Sequence, residues 1–165
     1  MFQEIAIKPK KYKLKLGLVE SVRGGEVLRA LRRILATPEE IIVMKASAIA
    51  PPRCPDCGST SLVRIGRVIR ANGLRVQRFR CRVCGRTFTE LEGTPLKGLH
   101  NIRFALVVAY LFLCLGMEPK IIARVTGRSY STVIRLVKRV RQHETFFMDL
   151  LVSLGVTLGT ECYLK

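Results

Sequence analysis

Residues 54–88 read CPDCGSTSLVRIGRVIRANGLRVQRFRCRVCGRTF. The stretch opens and closes on a Cys-x-x-Cys pair, Cys54/Cys57 and Cys81/Cys84. Each pair lets two thiolates reach one ion from a tight knuckle, and the glycines that follow, Gly58 and Gly85, permit the backbone to turn back. Near the midpoint, Asn72-Gly73 is a strong short hairpin signal, flanked by SLVRIGRVIR and LRVQRFR. A hairpin closed there brings the two knuckles together. Four sulfurs then fill a tetrahedral shell and leave no position for water. One structural Zn2+ on Cys54, Cys57, Cys81 and Cys84 is expected, and metal catalysis is not. Two disulfides or an iron–sulfur cluster are the competing uses of four cysteines. The two-knuckle spacing disfavours the first, and a hairpin between equal knuckles disfavours the second. A module this small buries too little core to fold alone, so metal binding would supply folding energy.

The same stretch is crowded with arginine. Arg78, Arg80 and Arg82 alternate along one strand, Arg64, Arg67 and Arg70 fall on its partner, and Arg86 follows the second knuckle. A zinc ion held by four thiolates carries two negative charges, which a few of these would offset. A solvated charged face would mix in acids, yet residues 53–90 hold only Asp56 and Glu90. Arginine forks suit phosphate oxygens, so these seven are expected to meet a nucleic-acid backbone.

The whole chain shares that bias. Its 165 residues carry 29 Lys plus Arg against 12 Asp plus Glu, a net charge of +17. The excess is spread along the chain, which favours polyanions as partners. The hydrophobic share is 48%, enough for a packed core. The longest apolar run, Phe104–Leu115, is too short for a bilayer, which needs about 20 residues. The start, MFQEIAIKPKKYK, lacks the order of a signal peptide. A soluble, cytoplasmic, nucleoid-associated protein with no membrane partner is expected.

Around the cysteine module the pattern changes. KYKLKLGL alternates Lys11, Lys13 and Lys15 with Tyr12, Leu14 and Leu16, the period of a strand. GGEVLRALRRILA places Val27, Leu28, Leu31, Ile34 and Leu35 on one helical face, away from Arg29, Arg32 and Arg33. Thr37-Pro38-Glu39-Glu40 resembles a helix start, with Thr37 as cap, Pro38 in the first turn and Glu40 completing a capping box. Pro51-Pro52 marks a boundary.

Beyond residue 100, helical periodicity dominates. IIARVTGRSYSTVIRLVKRV places small Ala123 four before Gly127, and buries Val133, Leu136, Val137 and Val140 on one face. Pro119 would begin the first helix, and Ser129 or Ser131 would cap the second. With an earlier helix over 103–115, this is the pattern of a helix-turn-helix, whose second helix enters the major groove. Docked that way, Arg128, Ser129, Tyr130, Ser131, Thr132 and Arg135 come near bases and phosphates, with Lys138 and Arg139 on the backbone. The competing reading is a helical hairpin with a charged surface. Phe104, Tyr110, Phe112, Phe146 and Phe147 read as core, Cys114 as buried, Cys162 as incidental, and His100 and His143 as surface residues.

Cys54-Pro55-Asp56-Cys57-Gly58-Ser59, followed by Gln77-Arg78-Phe79-Arg80-Cys81-Arg82-Val83-Cys84-Gly85-Arg86-Thr87-Phe88, resembles the zinc ribbon of insertion-sequence transposases. There the ribbon precedes a helix-turn-helix. The resemblance covers about residues 53–142 and implies a module that recognises the DNA ends of a mobile element or regulates transcription. Those transposases also carry a carboxylate triad for two metal ions. This chain has only two aspartates, Asp56 and Asp149, and its glutamates are scattered, so no catalytic site and no enzyme activity are expected.

The expected architecture is α+β, built of small modules. A mixed strand and helix segment fills 1–50, a four-cysteine zinc ribbon on a β-hairpin 53–90, a linker 91–100, a helix-turn-helix domain 101–152, and a tail 153–165. The expected partner is double-stranded DNA, with folded RNA or the ribosome as runner-up. A catalytic or homo-oligomeric protein partner is compatible with either.

Overall fold

The computed structural model describes residues 24–156. The expected strand over 11–18, Cys162 and the end of the tail lie outside them. The architecture is α+β, with six α-helices and one three-stranded antiparallel sheet among the described residues. No helix among them is long and apolar enough to cross a membrane. The described residues divide into two compact units, one from Pro38 to Ile102 and one made of residues 24–37 together with 103–156. The boundary expected at Pro51-Pro52 therefore falls inside the first of these units.

That cysteine-bearing unit contains α2 (Glu39–Ile49), β1 (Leu62–Ile69), β2 (Arg75–Cys81) and β3 (Thr87–Thr89), with sheet order β1-β2-β3. The hairpin forms where Asn72-Gly73 predicts it, through a three-residue loop. Arg70 N donates to Leu74 O at 2.9 Å and Gly73 N to Arg70 O at 2.8 Å, with Gly73 at φ 84°. Asn72 Oδ1 accepts from Leu74 N, which fixes the turn.

β1 and β2 are not in plain register. Arg64 faces Phe79, but Arg67 faces Gln77, so β1 spends three residues where β2 spends two. This is a β-bulge at Ile65-Gly66, with Gly66 at φ 105° and its carbonyl accepting from Gln77 Nε2 at 2.6 Å. Side chains alternate across a strand, so residues three apart would ordinarily lie on opposite faces. The extra residue restores Arg64 and Arg67 to the same face, beside Gln77 and Phe79.

Two expectations for this unit are corrected. Residues 91–100 are a packed run of turns and not a loose linker. Leu91, Leu96 and Leu99 are buried, Thr94 Oγ1 donates to Leu91 O at 2.9 Å, and successive turns close through Thr94, Lys97 and Leu99 amides. The capping box before α2 does not form. Thr37 Oγ1 donates back to Arg33 O at 2.7 Å, and Pro38 itself occupies the N-cap with no side-chain cap bond. A hydroxyl committed to the preceding turn is not there for the next helix.

The second unit holds α1 (Gly24–Ala36), α4 (Pro119–Thr126), α5 (Tyr130–Gln142) and α6 (Glu144–Ser153), with most of α3 (Ile102–Ala109). On α1, Val27, Leu31, Ile34 and Leu35 are buried as expected, Leu28 is half-buried, and Arg29, Arg32 and Arg33 are exposed. The helix expected over 103–115 is α3 continued by a π-helical turn, Tyr110–Cys114. Phe104, Tyr110 and Phe147 are core, Phe112 and Phe146 half-buried. Cys114 is half-buried, where full burial was expected. The π turn widens the helix there, as one extra residue per turn does.

α4 begins at Pro119 and ends on Gly127, whose φ of 64° is left-handed and whose amide donates to Ala123 O. Ser129 is then the N-cap of α5, its Oγ accepting from Thr132 N at 3.4 Å, which decides between the two serines. Ile122, Ala123 and Val125 on α4 and Val133, Val137 and Val140 on α5 are buried, while Leu136 is half-buried. Two amphipathic helices thus meet across a three-residue turn.

Candidate metal centre and nucleic-acid interface

The two knuckles are built alike. Cys54 N donates to Ser59 O and Gly58 N to Cys54 O. Cys81 N donates to Arg86 O and Gly85 N to Cys81 O. Each turn requires a left-handed residue, supplied by Gly58 at φ 70° and Gly85 at φ 77°. Arg82 N donates to Ser61 O at 2.9 Å, lacing the second knuckle to the chain leaving the first. Beneath them, Phe79 and Phe88 pack at 5.9 Å between ring centroids, in a cluster with Cys54, Cys81 and Leu62.

The four sulfurs converge. Cys54 Sγ lies 3.4 Å from Cys84 Sγ, Cys57 Sγ lies 3.5 Å from Cys81 Sγ, and all four are within 4.8 Å of one another. The four thiols are free. A tetrahedron with metal–sulfur bonds of about 2.3 Å has sulfur–sulfur edges of about 3.8 Å, so the spacing fits one ion. Among the described residues this is the one group of three or more His, Cys, Asp or Glu side chains that could hold a metal ion.

Electrostatics divide the four thiols by position. The first cysteine of each knuckle is pulled down. For Cys81 the Cys84 amide is the largest influence, opposed by burial and aided by the Val83 amide, and its pKa falls to about 6. Cys54 is lowered first by the Cys57 amide, then helped by Asp56 against burial. Cys57 and Cys84 are raised. Their leading backbone donors, Ser59 and Arg86, favour the thiolate, but burial and neighbouring sulfurs outweigh them. Amides aimed at sulfur stabilise the thiolate, which is the form that binds metal.

The expected arginine face is two faces. Arg64 and Arg67 share one side of the sheet with Arg75 and line a groove there. Arg80 and Arg82 line a separate shallow depression with Val63 and Ile65. Arg78 has the parity of Arg80 and is exposed. The remaining two are occupied: Arg70 Nη1 donates to Leu99 O at 3.3 Å, and Arg86 Nη1 donates to Asp56. Arg75, the bulge and the groove were not anticipated. Gly66 was their one signal, because a glycine inside a strand pattern marks a bulge.

On α5 the chemistry is displayed at the N-terminal end. Tyr130 is 54% exposed, and Ser131, Arg135 and Lys138 are exposed. Ser129 is exposed, but its hydroxyl is engaged in capping and lies 2.8 Å from Thr132 Oγ1. Thr132 and Arg139 are half-buried. Arg128 is exposed yet lies over the Phe104 ring at 5.4 Å, a cation–π contact. His100 and His143 are exposed. Asp56 is engaged by Arg86 and Asp149 is exposed on α6. No family model matches the chain, and neither does any curated protein or solved structure.

Proposed function

We propose that this chain is a zinc-dependent nucleic-acid-binding protein that recognises duplex DNA. On this reading it is a transposase-like module, acting at element ends or promoters, without a catalytic site of its own. Zn2+ held by Cys54, Cys57, Cys81 and Cys84 would serve structure only, by locking the hairpin and the two knuckles. Arg78 and Arg80 of β2 and Arg82 of the second knuckle hold phosphates. The α4-turn-α5 pair acts as a helix-turn-helix, with Tyr130, Ser131 and Arg135 toward base edges and Lys138 toward the backbone.

The observation that carries the reading is the outward face of α5. A helix set on a partner by Gly127 and capped by Ser129 displays Tyr130, Ser131, Arg135 and Lys138 outward, with no acidic residue in its first turn. Outward polar and basic side chains on the second of two packed helices suit a major groove. Selection from a random duplex library by the zinc-loaded protein tests it. Enrichment of one motif, bound at least about a hundredfold tighter than random duplex, is expected. Equal, salt-sensitive affinity for any polyanion overturns it, and stable recovery with ribosomal RNA after a high-salt wash moves the protein to the RNA reading.

A further inference from the structure

The groove over the sheet is unused by the duplex contacts proposed above. It lies in the cysteine-bearing unit, has a volume of about 760 Å³, and runs between α2 and the face of β1 and β2 that the bulge creates. One wall is apolar. Ile41 and Met44 of α2 are 39% and 56% exposed, and Phe79 lies at the floor. The opposite wall is cationic, with Arg64, Arg67 and Arg75. Their guanidiniums make no ion pair or hydrogen bond among the described residues. Two carboxylates are near. Glu90 is already committed, Oε1 accepting from Gln77 N at 2.7 Å and Oε2 from Ser47 Oγ at 3.4 Å. Glu40 stands exposed in the first turn of α2. Three cations therefore face one uncommitted anion across an apolar floor.

We infer that this groove binds an unpaired nucleotide of a single strand, so that the protein engages a junction between duplex and single-stranded nucleic acid. This rests on the nucleic-acid reading above and deepens it. The volume lies in the range of small-ligand pockets, which admits a nucleotide and not the body of a duplex. An extruded base offers a flat apolar surface that stacks on guanidinium planes and packs on Met44 and Ile41, and its phosphates complement the remaining positive charge. A paired base has no surface to offer, because its faces are buried in the stack. The bulge is what makes the site, since plain alternation would send Arg64 and Arg67 to opposite sides of the sheet.

The test uses full-length, zinc-loaded protein with fluorescein-labelled decathymidylate and a labelled blunt-ended duplex, read by anisotropy. Met44→Asn changes no charge and lies on an exposed helix face. It is expected to weaken decathymidylate roughly fivefold and to leave the duplex within about twofold. Zinc content and circular dichroism of the variant confirm its fold. With 4-thiothymidine in the single strand, photo-crosslinks are expected on peptides within 38–53 or 64–80. Equal loss on both probes, or no loss, overturns the inference while duplex recognition stands. So do crosslinks confined to 124–142. If an alternating Glu-Leu decapeptide binds and Met44→Asn weakens only that, the groove is a peptide site and the inference fails. Wild-type protein that binds neither nucleic acid overturns this inference and the underlying reading together.

Discussion

Arg86 Nη1 lies 2.8 Å from Asp56 Oδ1 and 2.9 Å from Oδ2, so one ion pair joins the first knuckle to the residue that closes the second. The hydrogen bond to Asp56, and then its charge, raises the guanidinium pKa above its ordinary value. Both side chains are about half exposed, 46% and 51%, so the pair is screened by salt. Arg86→Ala is expected to speed chelator-driven metal loss by less than about threefold, with the difference gone at high salt. A metal-release time course in low and high salt measures this. A salt-independent acceleration of about tenfold or more would place Arg86 in metal retention itself.

Cys81→Ser removes the buried thiolate that the Cys84 and Val83 amides favour. The variant is expected to lose bound zinc and the order of the sheet, because a closed four-thiolate site tolerates no missing ligand. Cys114→Ser, on the π turn, should keep one zinc per chain. Elemental analysis of both purified variants decides it, and unchanged stoichiometry in Cys81→Ser would sink the four-cysteine assignment.

Gly66→Ala places a Cβ on a residue at φ 105°, where open space surrounds the site but the backbone conformation is costly. A loss of about 1–3 kcal/mol is expected from strain alone. Chemical denaturation of the metal-loaded protein measures it. Neutral behaviour would mean that the strand relaxes to plain register and that Arg64 and Arg67 part company.

Ser129 and Ser131 lie two residues apart, yet one caps α5. Ser129→Ala should destabilise the protein by about 1 kcal/mol and Ser131→Ala by less than half of that. Thermal unfolding of the pair is the check. Equal effects would mean that the two hydroxyls, 3.2 Å apart, share the cap.

Arg135 and Arg78 carry opposite assignments. Arg135→Ala should cost roughly tenfold on a preferred duplex site and little on random sequence. Arg78→Ala should weaken all sequences alike and lower the salt slope by about one. Titrations of both variants at several salt concentrations would expose a swap of roles as the reverse pattern.

The convergence of the four cysteines is legible because its information is local. Two Cys-x-x-Cys pairs, their trailing glycines and Asn72-Gly73 are short-range signals, and each appears in the structure as a knuckle or turn. The helices were legible for a similar reason, since Gly127, Pro119 and the valines of α5 act within one or two turns. The arginines were less readable. Which face an arginine takes depends on the parity of the strand, and Gly66 changes that parity midway. Arg70 and Arg86 are expected at phosphates, and their bonds to Leu99 O and Asp56 join residues distant in sequence, which no local pattern announces. The turns over 91–100 looked like linker because glycine and proline mark bends equally well in packed and solvated chain.

The bulge makes β1 sensitive to counting. Removing one codon at Ile65-Gly66 would remove the bulge and leave Arg64 and Arg67 two residues apart, so plain alternation would keep them on one face opposite Phe79 and Gln77. A strand that kept its length and lost its bulge would instead split the cationic wall between the two sides of the sheet. At this point the length of the gene carries as much meaning as its letters.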